Sequence, residues 1–145
     1  IAGKGNTVIV KVRSARMLGT PGALKQIFEV FARHRTSVDV VTTSEVSVSL
    51  TVDDDQFLDA VVSDLRAFGD VSVERGRGII AVVGAGLAEH TEAMAKAIGA
   101  IGTVRLHMLS LDSTGINLTM VLDADEVQPV MQRLHDAFFG SGATA

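Results

Sequence analysis

Three features of this 145-residue chain could together hold a small charged molecule. Thr20-Pro21-Gly22 reads as the opening of a helix, with Thr20 as cap and Pro21 as first residue, so the free N–H groups of Ala23 and Leu24 would face whatever precedes them. That is a seat for an anion, reached by a loop with a second glycine, Gly19. The strand start Ser37-Val38-Asp39 and the turn Thr43-Ser44-Glu45 each bring a carboxylate suited to an ammonium group, while Met17 and Val38 can supply an apolar wall. A ligand with one carboxylate and one or two ammonium groups fits the set, which describes a free amino acid, a diamino one included.

Other chemistry is poorly represented. His34, His90, His107 and His135 fall on different elements without metal-ligand spacing and read as solvated or capping residues, so no metal site is expected. No Gly-x-Ser-x-Gly or Ser-x-x-Lys motif marks a nucleophile, and no catalytic residue is assigned. Gly84-Ala-Gly86 lacks the third glycine of a dinucleotide loop and reads as a tight turn; Gly19-Thr-Pro-Gly22 lacks the Gly-Lys-Ser/Thr ending of a phosphate loop. Asp53, Asp54 and Asp55 read as acids opening a helix, not as an ion site. The chain has no Cys, Trp or Tyr, which excludes thiol chemistry and removes two of the side chains that stack on ring ligands. Thirteen Lys and Arg against seventeen Asp and Glu leave a net charge of -4, without a basic cluster to hold nucleic acid. The apolar run Gly78 to Ala88 is too short for a bilayer, and a cytoplasmic protein without a membrane or nucleic-acid partner is expected.

The elements that must position these residues occur twice. Val8, Val10 and Val12 alternate as a strand, and Ile79, Ala81 and Val83 repeat the pattern about seventy residues later. Each strand leads through a glycine-bearing loop into a helix. Ala23 to His34 carries the stripe Leu24, Ile27, Phe28 and Phe31, and Ala88 to Ile101 carries Met94, Ala97, Ile98 and Ile101. Two strands follow in each half, Val38 to Thr43 with Val46 to Val52, and Val104 to Leu111 with Ile116 to Leu122. Asp53 and Asp123 then open second helices, striped by Phe57, Leu58, Val61, Val62 and Leu65 and by Val127, Val130, Met131, Leu134 and Phe138. Val71 to Glu74 is a fourth strand ending at Gly76-Arg-Gly78. This is an α+β fold of two ferredoxin-like βαββαβ units, antiparallel sheets with helices on one face, over residues 6–76 and 77–140. The second unit lacks its fourth strand; the N-terminal residues 1–5 are expected to fill that slot, the alternative being an open sheet edge that would invite pairing with another chain. Residues 141–145 read as a loose tail.

Two stretches carry a family resemblance over essentially the whole chain. Arg16-Met-Leu-Gly-Thr-Pro-Gly-Ala-Leu24, followed by Ser37-Val-Asp-Val-Val-Thr-Thr-Ser-Glu-Val-Ser-Val-Ser-Leu-Thr51, resembles the C-terminal regulatory region of aspartate kinases of the lysine-responsive type, a tandem pair of ACT domains. The resemblance implies an allosteric module that binds the end-product amino acid and inhibits a kinase domain preceding it in the parent protein. That domain would use MgATP to phosphorylate the β-carboxylate of aspartate; no cofactor is implied for this fragment. Lysine is favoured as effector and threonine is possible. Its carboxylate is expected on the Ala23 and Leu24 amides, its α-ammonium near Asp39 and its side-chain ammonium near Glu45, with Ser44 and Thr20 as further contacts. Units of this family pair side by side into an eight-stranded sheet, which implies a homodimer with ligand at its interface. The alternative is a ligand-free module that only dimerises its parent.

Overall fold

The computed structural model describes residues 1–16, 19–87 and 89–140. In chain order the elements are β1 (Ala2–Arg13), α1 (Ala23–Arg33), β2 (Val41–Thr43), β3 (Ser47–Asp53), α2 (Leu58–Leu65) and β4 (Asp70–Val83). They continue as α3 (Thr91–Ala100), β5 (Met108–Leu111), β6 (Asn117–Asp123), a 3-10 turn (Ala124–Glu126) and α4 (Val127–Phe139). The chain divides into one compact unit, Asn6–Arg75, and another made of Ile1–Gly5 with Gly76–Ala145.

In the unit Asn6–Arg75 the strands run in the order β2-β3-β1-β4, and in the other β1-β4-β6-β5, with β1 and β4 each contributing to both. The repeat is exact in register. Thr7 pairs with Asp53 and Val12 with Val48 in one unit; Arg77 pairs with Asp123 and Val82 with Leu118 in the other, a shift of 70 residues. The N-terminal segment completes the second unit as expected: a Cβ on Gly3 would meet the Ile79 carbonyl and Met131, and one on Gly78 would meet the Lys4 carbonyl.

Each unit has its own apolar interior. Val8, Val10 and Val12 of β1 pack with Val48, Leu50 and Val52 of β3 under Ile27, Val30 and Phe31 of α1 and Leu58, Val61 and Leu65 of α2. In the other, Ile80 and Val82 pack with Leu118, Met120 and Leu122 under Ala97, Val130 and Leu134.

Several expectations change in detail. The core face of β4 is Ile80 and Val82, whereas Val83 is 61% exposed; the run Ile79 to Val83 is apolar on both faces, so alternation does not identify the inner one. Gly76-Arg-Gly78 does not end a strand, because β4 continues through it with Gly76 at φ 72. On α1 the buried stripe is Ala23, Ile27, Val30 and Phe31, which leaves Leu24 and Phe28 exposed. Ile98, at the matching position of α3, is exposed as well. The expected helix start at Ala88 and the tail 141–145 lie outside the described residues.

Gly78 is a packing requirement. A side chain there would overlap Val127 Cγ2 and crowd the Lys4 carbonyl at 3.0 Å. Gly78→Ala is therefore expected to cost about 1–3 kcal/mol by overpacking. The corresponding fall in thermal midpoint, with faster amide exchange in Ala2–Gly5, checks it; an unchanged midpoint would show that the N-terminal strand is not held against β4.

Candidate ligand-binding site

The helix opening differs from the expected one. Gly22, at φ 86, is the N-cap of α1, and no side chain caps the helix. The left-handed turn is one that glycine adopts without strain. Helix therefore begins two residues beyond Pro21, and Thr20 serves through its carbonyl, which accepts the Ala23 N–H at 3.3 Å. This corrects the expected anion seat, since the Ala23 amide is engaged. Gln26 N–H bonds to the Gly22 carbonyl, so the open first-turn donors among the described residues are those of Leu24 and Lys25. Gly19, Thr20 and Gly22 are exposed; Ala23 is buried and Leu24 is 43% exposed. Met17 lies outside the described residues.

The carboxylates lie along the edge strand. Asp39 N–H donates to the Thr51 carbonyl at 2.9 Å while Thr51 N–H donates to the Val40 carbonyl at 2.9 Å. Two residues thus oppose one, which is a β-bulge, and its spare donor, Val40 N–H, is taken by the Thr51 hydroxyl at 2.8 Å. The bulge is why the regular strand spans Val41–Thr43 and not the expected Val38 to Thr43. Ser37 and Asp39 are exposed, and Val38 packs partly against the core.

Ser44 closes the hairpin instead of presenting a free hydroxyl. Its N–H bonds to the Ser47 carbonyl at 2.8 Å, and its Oγ lies 2.8 Å from Ser47 Oγ and accepts the Ser47 N–H at 3.1 Å. Glu45 is exposed at the tip. Because Ser14 N–H bonds to the Val46 carbonyl, the loop into α1 leaves from the Glu45 end of the hairpin. Asp39 lies opposite Thr51, five residues before Ser44, or roughly 16 Å at strand rise. The register therefore brings Glu45 and the α1 opening to one end of β2 and puts Asp39 toward the other.

The second unit carries the same bulge with different chemistry. His107 N–H bonds to the Val121 carbonyl at 2.7 Å while Met108 pairs with Val121, so His107 occupies the place of Asp39. Its imidazole, 8% exposed, donates from Nε2 to Asp123 Oδ1 at 2.9 Å, and Arg77 donates to the same oxygen at 3.0 Å. His107 is neither solvated nor capping, and Asp123 makes no side-chain cap. The hydrogen bond from His107, opposed by desolvation and assisted by the charges of His107, Arg77 and Arg105, holds the Asp123 carboxyl below the usual range. In the first unit the matching positions are Asp39 for His107, Asp53 for Asp123 and Thr7 for Arg77. At this locus one unit sets a histidine and an arginine around an aspartate, whereas the other has two aspartates and a threonine. Sequence reasoning missed the cluster, since His107 reads from its spacing as one more isolated histidine.

A depressed folded pKa contributes stability above the unfolded value, about 3.9 for aspartate, and loses it as pH falls through the folded value. Asp123→Asn is thus expected to flatten the acid side of the stability profile relative to wild type, while Asp64, held low chiefly by its hydrogen bond from His34, titrates in both proteins. Urea unfolding between roughly pH 6 and 2.5 checks this, and parallel profiles would show that the cluster does not differ between folded and unfolded states.

Among the described residues there is no group of His, Asp and Glu that could hold a metal ion, and no helix is long and apolar enough to cross a membrane. An ACT domain profile matches residues 10–63 and 80–138. The chain belongs to the ACT domain family. More narrowly, it corresponds to the C-terminal regulatory region of aspartate kinases. It is 34% identical to chloroplastic aspartokinase 1 of Arabidopsis thaliana over 150 residues, covering 96% of this chain and 26% of that protein. A solved chain from Porphyromonas gingivalis W83, assigned as a C-terminal regulatory domain of aspartate kinase, matches with 32% identity and a TM-score of 0.83, covering 95% of both chains. Escherichia coli aspartokinase III, solved with lysine and aspartate in a T state, matches with 30% identity and a TM-score of 0.83 over 95% of this chain and 32% of that one. The chain thus spans about a quarter of the length of the plant relative and a third of the bacterial one.

Proposed function

We propose that this chain is the lysine-sensing regulatory part of a cytoplasmic aspartate kinase, whose separate kinase domain phosphorylates the β-carboxylate of aspartate with MgATP. The observation that carries the reading is the matched bulge, which presents Asp39 in one unit and the internally paired His107 in the other. A carboxylate there attracts an ammonium ion; the imidazole locked to Asp123 does not. The relative solved with lysine supports the choice of effector. Threonine is the second candidate.

The register also bears on how the site is assembled. An amino acid's carboxylate and α-ammonium are separated by one carbon, yet Asp39 and the α1 opening lie toward opposite ends of β2. Antiparallel pairing of two β2 edges around a two-fold axis would bring the α1 opening of one copy alongside Asp39 of the other. Lysine would then place its carboxylate on the Leu24 and Lys25 amides of one copy and its α-ammonium at Asp39 of the second, with its side chain reaching toward Glu45. Exposed Leu24 and Phe28 lie on the same helix as that opening. A ligand of this kind stabilises the paired state, and through it whichever kinase arrangement that pairing favours.

Calorimetric titration of the chain with lysine, threonine and methionine, together with sedimentation with and without ligand, tests the proposal. Lysine is expected to give saturable heat and to strengthen self-association. Absence of heat with all three would leave the ligand-free dimerisation module as the better reading.

A further inference from the structure

The sheet face opposite the core of the unit Asn6–Arg75 carries a feature that the proposed effector site does not use. Val10 and Val12 of β1 point into the core, so Lys11 and Arg13 stand on the other face. On β4, Val71 and Val73 pack toward the core, which turns Asp70 and Ser72 to the same side as the two cations. Lys11, Arg13, Asp70, Val71 and Ser72 line one cavity of about 300 Å³. The β3 partners of Lys11 and Arg13 are Ser49 and Ser47, and Thr42 of β2 is opposite Ser49, so hydroxyls flank the cations on the face away from the core.

Many other cations of the chain are engaged within it. Arg33 pairs with Asp64, Arg75 with Asp54, Arg77 with Asp123 and Lys25 with Glu29, while Arg133 donates to the Ile101 carbonyl and Lys96 lies over the Phe138 ring. Lys11 and Arg13 have no such partner among the described residues, although Asp70 lines the same cavity. Their strand positions are also fixed. A side chain on Gly69 would overlap the Arg13 carbonyl and lie 2.9 Å from Ser14 Cβ, so the start of β4 is drawn closely against the end of β1.

We propose that this cavity is an oxyanion site, separate from the effector locus, which takes a small molecule through its phosphate or carboxylate group. Arg13 supplies a planar fork, Lys11 a movable ammonium and Ser72 a hydroxyl donor, and Asp70 at the rim favours a ligand with a hydrogen-bond donor beside its anionic group. The volume is at the lower end for small-molecule pockets and suits a compact ligand better than a nucleotide.

The test is an amide-resolved NMR titration of the chain with inorganic phosphate and, separately, with succinate, each at constant ionic strength maintained with sodium chloride. Saturable shifts at Lys11 to Arg13 and Asp70 to Ser72 are expected in at least one arm, and the arm that saturates identifies the anionic group. Lys11→Gln/Arg13→Gln should weaken the response about tenfold or more, Ser72→Ala should weaken it less, and Asp70→Asn should tighten it. Should the double variant not fold, each single replacement serves alone, since both side chains are exposed. Linear shifts in both arms, or an unchanged response in the cation variants, would overturn the proposal. So would displacement of the phosphate response by lysine, because the two loci would then be one; if lysine binding fails while phosphate saturates, only the effector assignment falls.

Discussion

Asp39→Ala is expected to weaken lysine binding about 10- to 100-fold and to abolish the lysine-dependent gain in self-association. The estimate follows from loss of one charge-assisted hydrogen bond to an ammonium, about 1.5–3 kcal/mol. Asp39 is exposed, and its backbone N–H bond to the Thr51 carbonyl is kept by alanine, so the strand edge should tolerate the change. Calorimetry reports the affinity and a thermal melt controls for folding. Lysine binding retained at wild-type strength would remove Asp39 from the site, and loss of ligand-free dimer would instead assign it to assembly. Asp39→Asn, which keeps size but not charge, should fall close to the alanine variant if electrostatics dominates.

The largest loss of stability is expected from Phe31→Ala, about 3–5 kcal/mol. Phe31 is 2% exposed and packs with Ile27 and Val30 over the β-sheet of the unit Asn6–Arg75. Set against the roughly 5–15 kcal/mol that holds a typical domain together, this is a large fraction. Because each unit has its own apolar interior, hydrogen exchange should lose protection first between Asn6 and Arg75. A cost below about 1 kcal/mol would mean that the surrounding side chains collapse into the space left by the ring. Phe28→Ala, on the exposed side of the same helix, provides the contrast and should change the monomer's stability little.

Much of this architecture is legible from residue order. Asp53 and Asp123 close equivalent strands, the apolar spacing of Leu58 to Leu65 recurs in Val127 to Leu134, and the strand missing from the second half points to Ile1–Gly5 as its source. Finer detail is lost for identifiable reasons. Ala23 is too small to mark a core face, so Leu24 and Phe28 take its place in a periodicity count. Five apolar residues in succession leave the inner face of β4 undetermined. At the site, Asp39 and Glu45 are conspicuous as carboxylates near a glycine-rich helix opening. The bulge at Asp39 and Val40 is made by hydrogen bonds of the backbone and has no signature in side-chain type. The left-handed cap at Gly22 likewise moves the helix start past the residues that resemble a cap and a first proline. His107, Asp123 and Arg77 meet only across strands, with separations of 16 and 46 residues, beyond what local spacing reveals.

Strand β1 begins in one unit and ends in the other, and this has a consequence for biosynthesis. Ala2–Gly5 belong to a sheet whose other members follow more than 70 residues later, so during synthesis they must stay unpaired until β4, β6 and α4 have emerged. Closure of that sheet is a long-range event, which topology makes slow relative to local hairpin and helix formation. Nor can either half be cut out as an uninterrupted segment: a clone starting at Gly76 would express a sheet with an empty berth, and a neighbouring molecule could donate the strand that fills it.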